Sequence, residues 1–131
     1  MSFQEALYAK LSTITEANHV FPLRIPDDDP TNSVTYPVLV YEQVSGPREY
    51  THSGTSGPHR ARWQITAWGK TYDTTRALAE ATVTAISAWD ESGEGAKVTR
   101  SVCFIANEID LYDADSRLFY VPIDAEVLIE P

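Results

Sequence analysis

Residue types that carry chemistry are sparse in this 131-residue chain. It has one cysteine, Cys103, and three histidines, of which His52 and His59 stand in a stretch rich in Gly, Pro, Ser and Thr. A thiolate with a histidine base is the simplest nucleophilic pair these residues would make. Cys103, however, lies in an apolar alternating run, where a thiol behaves as a small inert hydrophobe. The two histidines have no second cysteine and no acidic ligand pair nearby, so they do not form a zinc set. Asp27, Asp28 and Asp29 are three adjacent carboxylates. A Ca²⁺ loop needs alternating oxygen ligands, a central Gly and a distal Glu, and none follows, so they read as an exposed turn before Pro30. Asp110, Asp113 and Asp115 crowd another turn and read as groups that cap and solvate it. The P-loop, the dinucleotide fingerprint, HExxH and CxxC are absent, and Gly54-Thr55-Ser56-Gly57 lacks the spacing of a nucleophile elbow. The sequence therefore predicts no enzyme, no cofactor and no metal site.

Aromatic residues are the more informative class. Tyr41, Tyr50, Trp68, Tyr72 and Tyr112 exceed what one small sheet face would bury, and Tyr and Trp are common anchors of protein interfaces. Each ring has an alternative use in completing the core.

These residues must be positioned by a few elements. The best-determined stretch is 60–89. Ala61, Trp63, Ile65 and Ala67 alternate with Arg62, Gln64, Thr66 and Trp68, as expected for a strand with one face on a core. Gly69-Lys70 breaks the alternation, and Asp73 or Thr74 is expected to cap a helix. Leu78, Thr82, Ala85, Ile86 and Trp89 then make one helical stripe. A shorter helix is expected over 3–14, from Phe3, Leu7, Leu11 and Ile14, with Ser2 as N-cap. Strands are expected at 38–44, at 98–109 (partly buried on both faces) and at 119–130. In the last of these, Pro122 argues for an edge position, or for a 122 side turned away from the ladder. Residues 110–116 read as a turn. Residues 45–59 read as a long hairpin arm, of a length that in compact domains is commonly functional. The expected fold is a single α+β domain spanning 1–131, with a mostly antiparallel four-stranded sheet packed on one long and one short helix.

Composition narrows the function classes. An apolar content of 43% fits a folded domain rather than a disordered chain. Net charge is −9, and residues 90–131 hold 10 acids and 3 bases, a local balance of −7. Such a surface repels phosphate, so sequence-independent gripping of DNA is disfavoured. The N-terminal MSFQEALYAKL lacks the basic and apolar regions of a signal peptide, and no apolar run approaches the roughly 20 residues of a membrane span. Synthesis and retention in the cytoplasm are expected.

Taken in order, EALYAKLS at 5–12, YPVLVYEQVSG at 36–46, EYTHSGTSG at 49–57, RARWQITAWGKTYDTTRALAEAT at 60–82 and DLYDADSRLFYVPIDAEV at 110–127 form a pattern. With it the chain resembles the tail completion, or tail terminator, proteins of long-tailed bacteriophages. The resemblance implies a non-catalytic virion protein, made in the host cytoplasm, that forms a hexameric ring on the head-proximal end of the tail tube. Such a ring stops tube polymerisation and offers a surface to the head–tail connector. DNA passes through its commonly acidic lumen without specific binding, and subunits often stay monomeric in solution. Implied partners are further copies of the chain, the major tail tube protein and the connector, with no membrane. Ring contacts are implied at sheet edges and in the arm. They point to Arg48, Glu49, Tyr50, Thr51, His52, Ser53 and Gly54, and to Arg60, Arg62 and Arg76 as partners for acids across subunits. A head-completion or stopper protein on the portal side is the neighbouring alternative. A polymerising tube subunit and a ligand-binding domain using the His52/His59 loop are more distant ones.

Overall fold

The computed structural model describes residues 3–25, 34–45, 50–51, 54–55, 59–87 and 100–130. In chain order the elements are α1 (Phe3–Leu11), β1 (His19–Pro22), β2 (Val38–Ser45), β3 (Tyr50–Thr51), β4 (Gly54–Thr55), β5 (His59–Gly69), α2 (Tyr72–Ile86), β6 (Arg100–Glu108), β7 (Leu111–Asp113) and β8 (Leu118–Glu130). The class is α+β, as expected, but the sheet is larger and mixed. Six strands run in the order β1-β2-β5-β8-β6, with β7 also on β8. β1 pairs β2 in parallel, and the other pairs are antiparallel.

The alternation read along β5 is present in the burial. Ala61, Trp63, Ile65 and Ala67 are buried, Arg62 is exposed, and Gln64 and Trp68 are half-buried. Thr66, on the same side as these three, is itself buried. The inward set joins Leu39 and Tyr41 of β2 and Val121, Ile123, Ala125 and Val127 of β8 in one core. Leu7 and Leu11 of α1 and Leu78 and Ile86 of α2 cover it. Burying side chains of this size contributes on the order of 1.5–3 kcal/mol each, so one sheet face and two helices account for the core.

Helix α2 buries Thr75, Leu78, Ala79, Thr82 and Ile86. Ala85 is half-buried, and Trp89 lies outside the described residues. Its cap is Thr71, whose Oγ1 accepts from the Thr74 amide at 3.3 Å, rather than Asp73 or Thr74. Three cap-competent residues follow within four positions, and propensity alone does not choose among them. Helix α1 stops at Leu11 rather than continuing to 14. The hydroxyls of Ser12 and Thr13 donate to the carbonyls of Tyr8 (2.8 Å) and Lys10 (2.7 Å), offering the last turn local partners in place of further helix. Ser2, its expected cap, lies outside the described residues.

Three strand expectations are corrected. β1 lies at the start of the Pro-rich stretch and was not expected at all. It has only four residues, ends at Pro22, and is followed by Leu23 at φ 67, so it carries no alternation long enough to read. Among the described residues β6 is an edge strand, and over 104–108 it is partly buried on one face rather than on both. Phe104 is 53% exposed, and Ile105 alone of residues 104–108 is half-buried. β8 is interior, paired with β5 on one side and with β6 and β7 on the other, so Pro122 does not mark an edge. The Pro122 carbonyl accepts from the Ile109 amide at 3.3 Å. In an antiparallel strand the nitrogen and oxygen of one residue point the same way. The donor-less nitrogen therefore faces the changeover between the end of β6 and the start of β7, where the ladder does not need it.

Candidate functional site

Of the ten residues implied in subunit contacts, the six that are described fall in three places. Arg48, Glu49, His52 and Ser53 lie outside the described residues. Tyr50, Thr51 and Gly54 sit on the β3–β4 ladder, pairing Tyr50 with Thr55 and Thr51 with Gly54 in a two-stranded sheet separate from the main one. Arg60 and Arg62 are at the start of β5, Arg60 opposite Leu128 and Arg62 between Ser45 and Glu126. Arg76 is remote from them. It follows the far end of β5, an 11-residue strand that spans about 35 Å at the usual rise.

Around Arg76 the chain builds a defined constellation. Its guanidinium donates to Asp110 Oδ1 at 2.8 Å and to Glu108 Oε2 at 3.0 Å. Glu80, one turn further along α2, lies 3.6 Å from its Nε. Tyr72 Oη donates to the second Asp110 oxygen at 2.9 Å. Helix α2 is thereby tied to the end of β6 and the segment after it. The bond from Arg76, then that from Tyr72, hold the Asp110 carboxyl below its ordinary pKa. The Tyr72 phenol is raised in turn by its bond to Asp110 and that group's charge. Arg76 is thus engaged by acids of its own chain.

The expected turn at 110–116 is a strand and a hairpin. β7 pairs with the start of β8 through Leu111 with Tyr120, Tyr112 with Phe119 and Asp113 with Leu118. Asp113 does cap it, accepting from the Asp115 amide at 3.2 Å and the Ser116 hydroxyl at 2.9 Å, while Arg117 closes the turn at φ 59. Asp110 instead serves the ion cluster. Tyr72 and Tyr112, 45% and 52% exposed, both pack on Phe119, with ring centroids 6.0 and 4.8 Å away. Phe119 was read only as a strand residue, although its place two residues after a turn and opposite a tyrosine is what gathers the patch.

The sheet face away from the helices carries a groove of about 670 Å³. Its lining includes Val40, Thr66, Trp68, Tyr120 and Pro122. Trp68 and Tyr120 stack at 4.5 Å with 14° between their planes. Among the described residues no cluster of three or more His, Cys, Asp or Glu is placed to hold a metal, and no helix is long and apolar enough to cross a membrane.

Substituting Arg76 with Gln is expected to lower stability by about 1 kcal/mol, the scale of a part-exposed ion-pair network, seen as a loss of roughly 3 °C in melting temperature. The sign with pH is definite. Asp110, depressed in the folded state, contributes stability that is present above the ordinary carboxylate range and lost as pH falls through its lowered value. Tyr72, raised, contributes below the ordinary tyrosine range and loses that contribution as pH climbs through its raised value. Arg76→Gln should therefore flatten the acid limb of the melting-temperature profile below the ordinary carboxylate range. An unchanged acid limb would refute the coupling.

Exposed aromatic rings and ion pairs at strand ends are the materials of protein–protein contact. The solved structure of the virion of a native gene transfer agent particle contains a chain with this fold, at TM-score 0.64 and 12% identity, covering 96% of this chain and 86% of that one. A search of curated proteins by sequence finds no match. The profile of the family described as tail completion protein gp17 matches residues 5–130. The chain belongs to that family and is a structural protein of the phage tail, located in the virion.

Proposed function

We propose that this chain caps the head-proximal end of the tail tube as a ring subunit, ending tube polymerisation and presenting the surface that the head-side connector meets. The observation that carries this reading is the β3–β4 ladder, a hairpin that belongs to no part of the main sheet. Two strands alone are marginally stable in water, so such an arm is suited to completing its structure on another molecule. The main sheet ends at β1 on one side and β6 on the other, and edges of this kind present unpaired backbone groups. An arm on one side of a subunit and an acceptor surface on another make a head-to-tail contact, which generates a closed ring when the rotation closes. In this reading the ring is a homohexamer. One of its faces copies what a further tube subunit would have met, the other presents no tube-binding surface, and growth ends.

The test is electron microscopy of lysates from a parent phage with this gene disrupted. Overlong or irregular tails, together with filled heads lacking tails, are expected. Tails of normal length beside leaky or empty heads would move the protein to the head side of the joint, as a stopper. Normal virions would overturn both positions.

A further inference from the structure

We infer that the groove on the open sheet face is a docking site for a basic, apolar-anchored segment of another protein. The face that an antiparallel sheet turns to solvent is ordinarily polar. Here Val38, Val40 and Thr66 on that face are 0%, 7% and 9% exposed, although both helices pack on the opposite side. Val40 and Thr66 line the groove together with Tyr36, the 23–25 segment and residues of the β7–β8 hairpin. The volume, about 670 Å³, lies within the range of sites that enclose a ligand or a few side chains. Exposed apolar groups continue the surface outward. Leu23 and Leu111 of the lining are 71% and 41% exposed. Ile109, beside Pro122, and Phe104, opposite Glu126, are 48% and 53% exposed.

Charge selects the occupant. On this face and its rim, Glu42, Asp113, Asp124 and Glu126 stand with Arg24, Arg62 and Lys70, four negative charges against three positive. Gln64 Nε2 donates to Asp124 Oδ1 at 3.3 Å. The stacked Trp68–Tyr120 pair offers ring faces of the kind that attract cations. Lys70, 5.7 Å from the centroid of the Tyr36 ring, already uses one such face at the groove wall. A segment alternating cationic and aliphatic side chains satisfies both the floor and the rim. This inference is independent of ring formation, because one subunit holds the whole groove.

The probe is a blocked heptapeptide alternating Arg and Leu, with an alternating Glu and Leu peptide as control, titrated into the full ¹⁵N-labelled chain. Saturable binding of the Arg peptide is expected, with shifts at Thr66, Leu111 and Tyr120 and at the Trp68 indole, about tenfold tighter than the control. Glu42→Lys should weaken it several-fold, and Leu111→Arg should abolish it. Both positions are at the surface of the face rather than in the helix-covered core, so the variants are expected to fold. No saturable binding, equal binding of the two peptides, or shifts confined to the helix side would overturn the proposal. So would sedimentation showing a dimer formed through these same residues, which would assign the groove to a second copy.

Discussion

Replacing residues 49–58 with a two-residue Asn-Gly turn is expected, under the proposed ring assembly, to yield a folded monomer that does not close into rings. The monomer should survive because, among the described residues, the core is drawn chiefly from α1, β2, β5, α2 and β8. β3 and β4 pair only with each other among the described residues, and the ladder between β2 and β5 ends at Ser45 opposite Arg62. A tight turn of the kind that favours hairpins can then join those strands, and the melting temperature should stay within about 3 °C of the intact chain. Ring closure should be lost entirely, for a multiplicative reason. Each interface of a closed ring is the same contact repeated, and every 1.4 kcal/mol removed from it is a factor of about ten in its constant. A modest loss per contact, compounded around a hexamer, leaves no ring at working concentrations. The measurement is sedimentation together with microscopy of purified tail tubes incubated with the shortened protein. Tubes still capped by an arm-less chain would show that the arm is not what closes the ring, whatever the fate of the tail-end assignment.

How much of this was legible beforehand divides along physical lines. The strand at 59–69 and the helix after it were readable because their periods, two and 3.6, are written locally in Ala61 to Ala67 and in Leu78 to Ile86. The parallel strand β1 was not, because four residues carry no measurable period and its pairing with β2 depends on a partner starting 19 residues after its own start. Pro122 left its two readings, edge or unneeded side, undecided for a related reason. Its missing N–H is a local fact, but the place where that loss is harmless, the gap between β6 and β7, exists only once three segments are assembled. The ion cluster was hidden in the same way. Arg76 stands out in the sequence as a cation, but its bonds to acids 32 and 34 residues away in its own chain are not written in its local pattern. The groove was the least legible of all. Trp68 and Tyr120 are brought together by register across β5 and β8, and no property of either stretch alone announces a floor of buried residues on the face away from the helices.

At the junction between β5 and α2, substituting Gly69 with Ala is expected to cost about 1–3 kcal/mol, the range for overfilling a packed site, or a fall of roughly 3–10 °C in melting temperature. The cause is contact rather than backbone freedom. A β-carbon at 69 would collide with Thr75 Oγ1, and would also stand 3.3 Å from Thr75 Cβ and 3.5 Å from Thr74 Oγ1. Thr75 has nowhere to go. Its side chain is 0% exposed and its hydroxyl donates to the Thr71 carbonyl at 2.7 Å, the same carbonyl that takes the Thr75 amide at 3.2 Å. Relief would require moving the first turn of α2 off the end of the sheet, and with it Tyr72 and Arg76, which reach Asp110 from that turn. Thr75→Ala alone should be destabilising, because it removes a buried methyl and a satisfied hydroxyl. The double variant should nevertheless be no worse than Gly69→Ala, since the Thr75 side-chain atoms that the new methyl meets most closely are then reduced to Cβ. A double-mutant cycle read by thermal melts should give a coupling of about 1 kcal/mol or more, well beyond the few tenths typical of independent sites. Simple additivity of the two changes would refute the contact as the cause. In that case the closeness of strand and helix at this corner could not be what makes glycine necessary there.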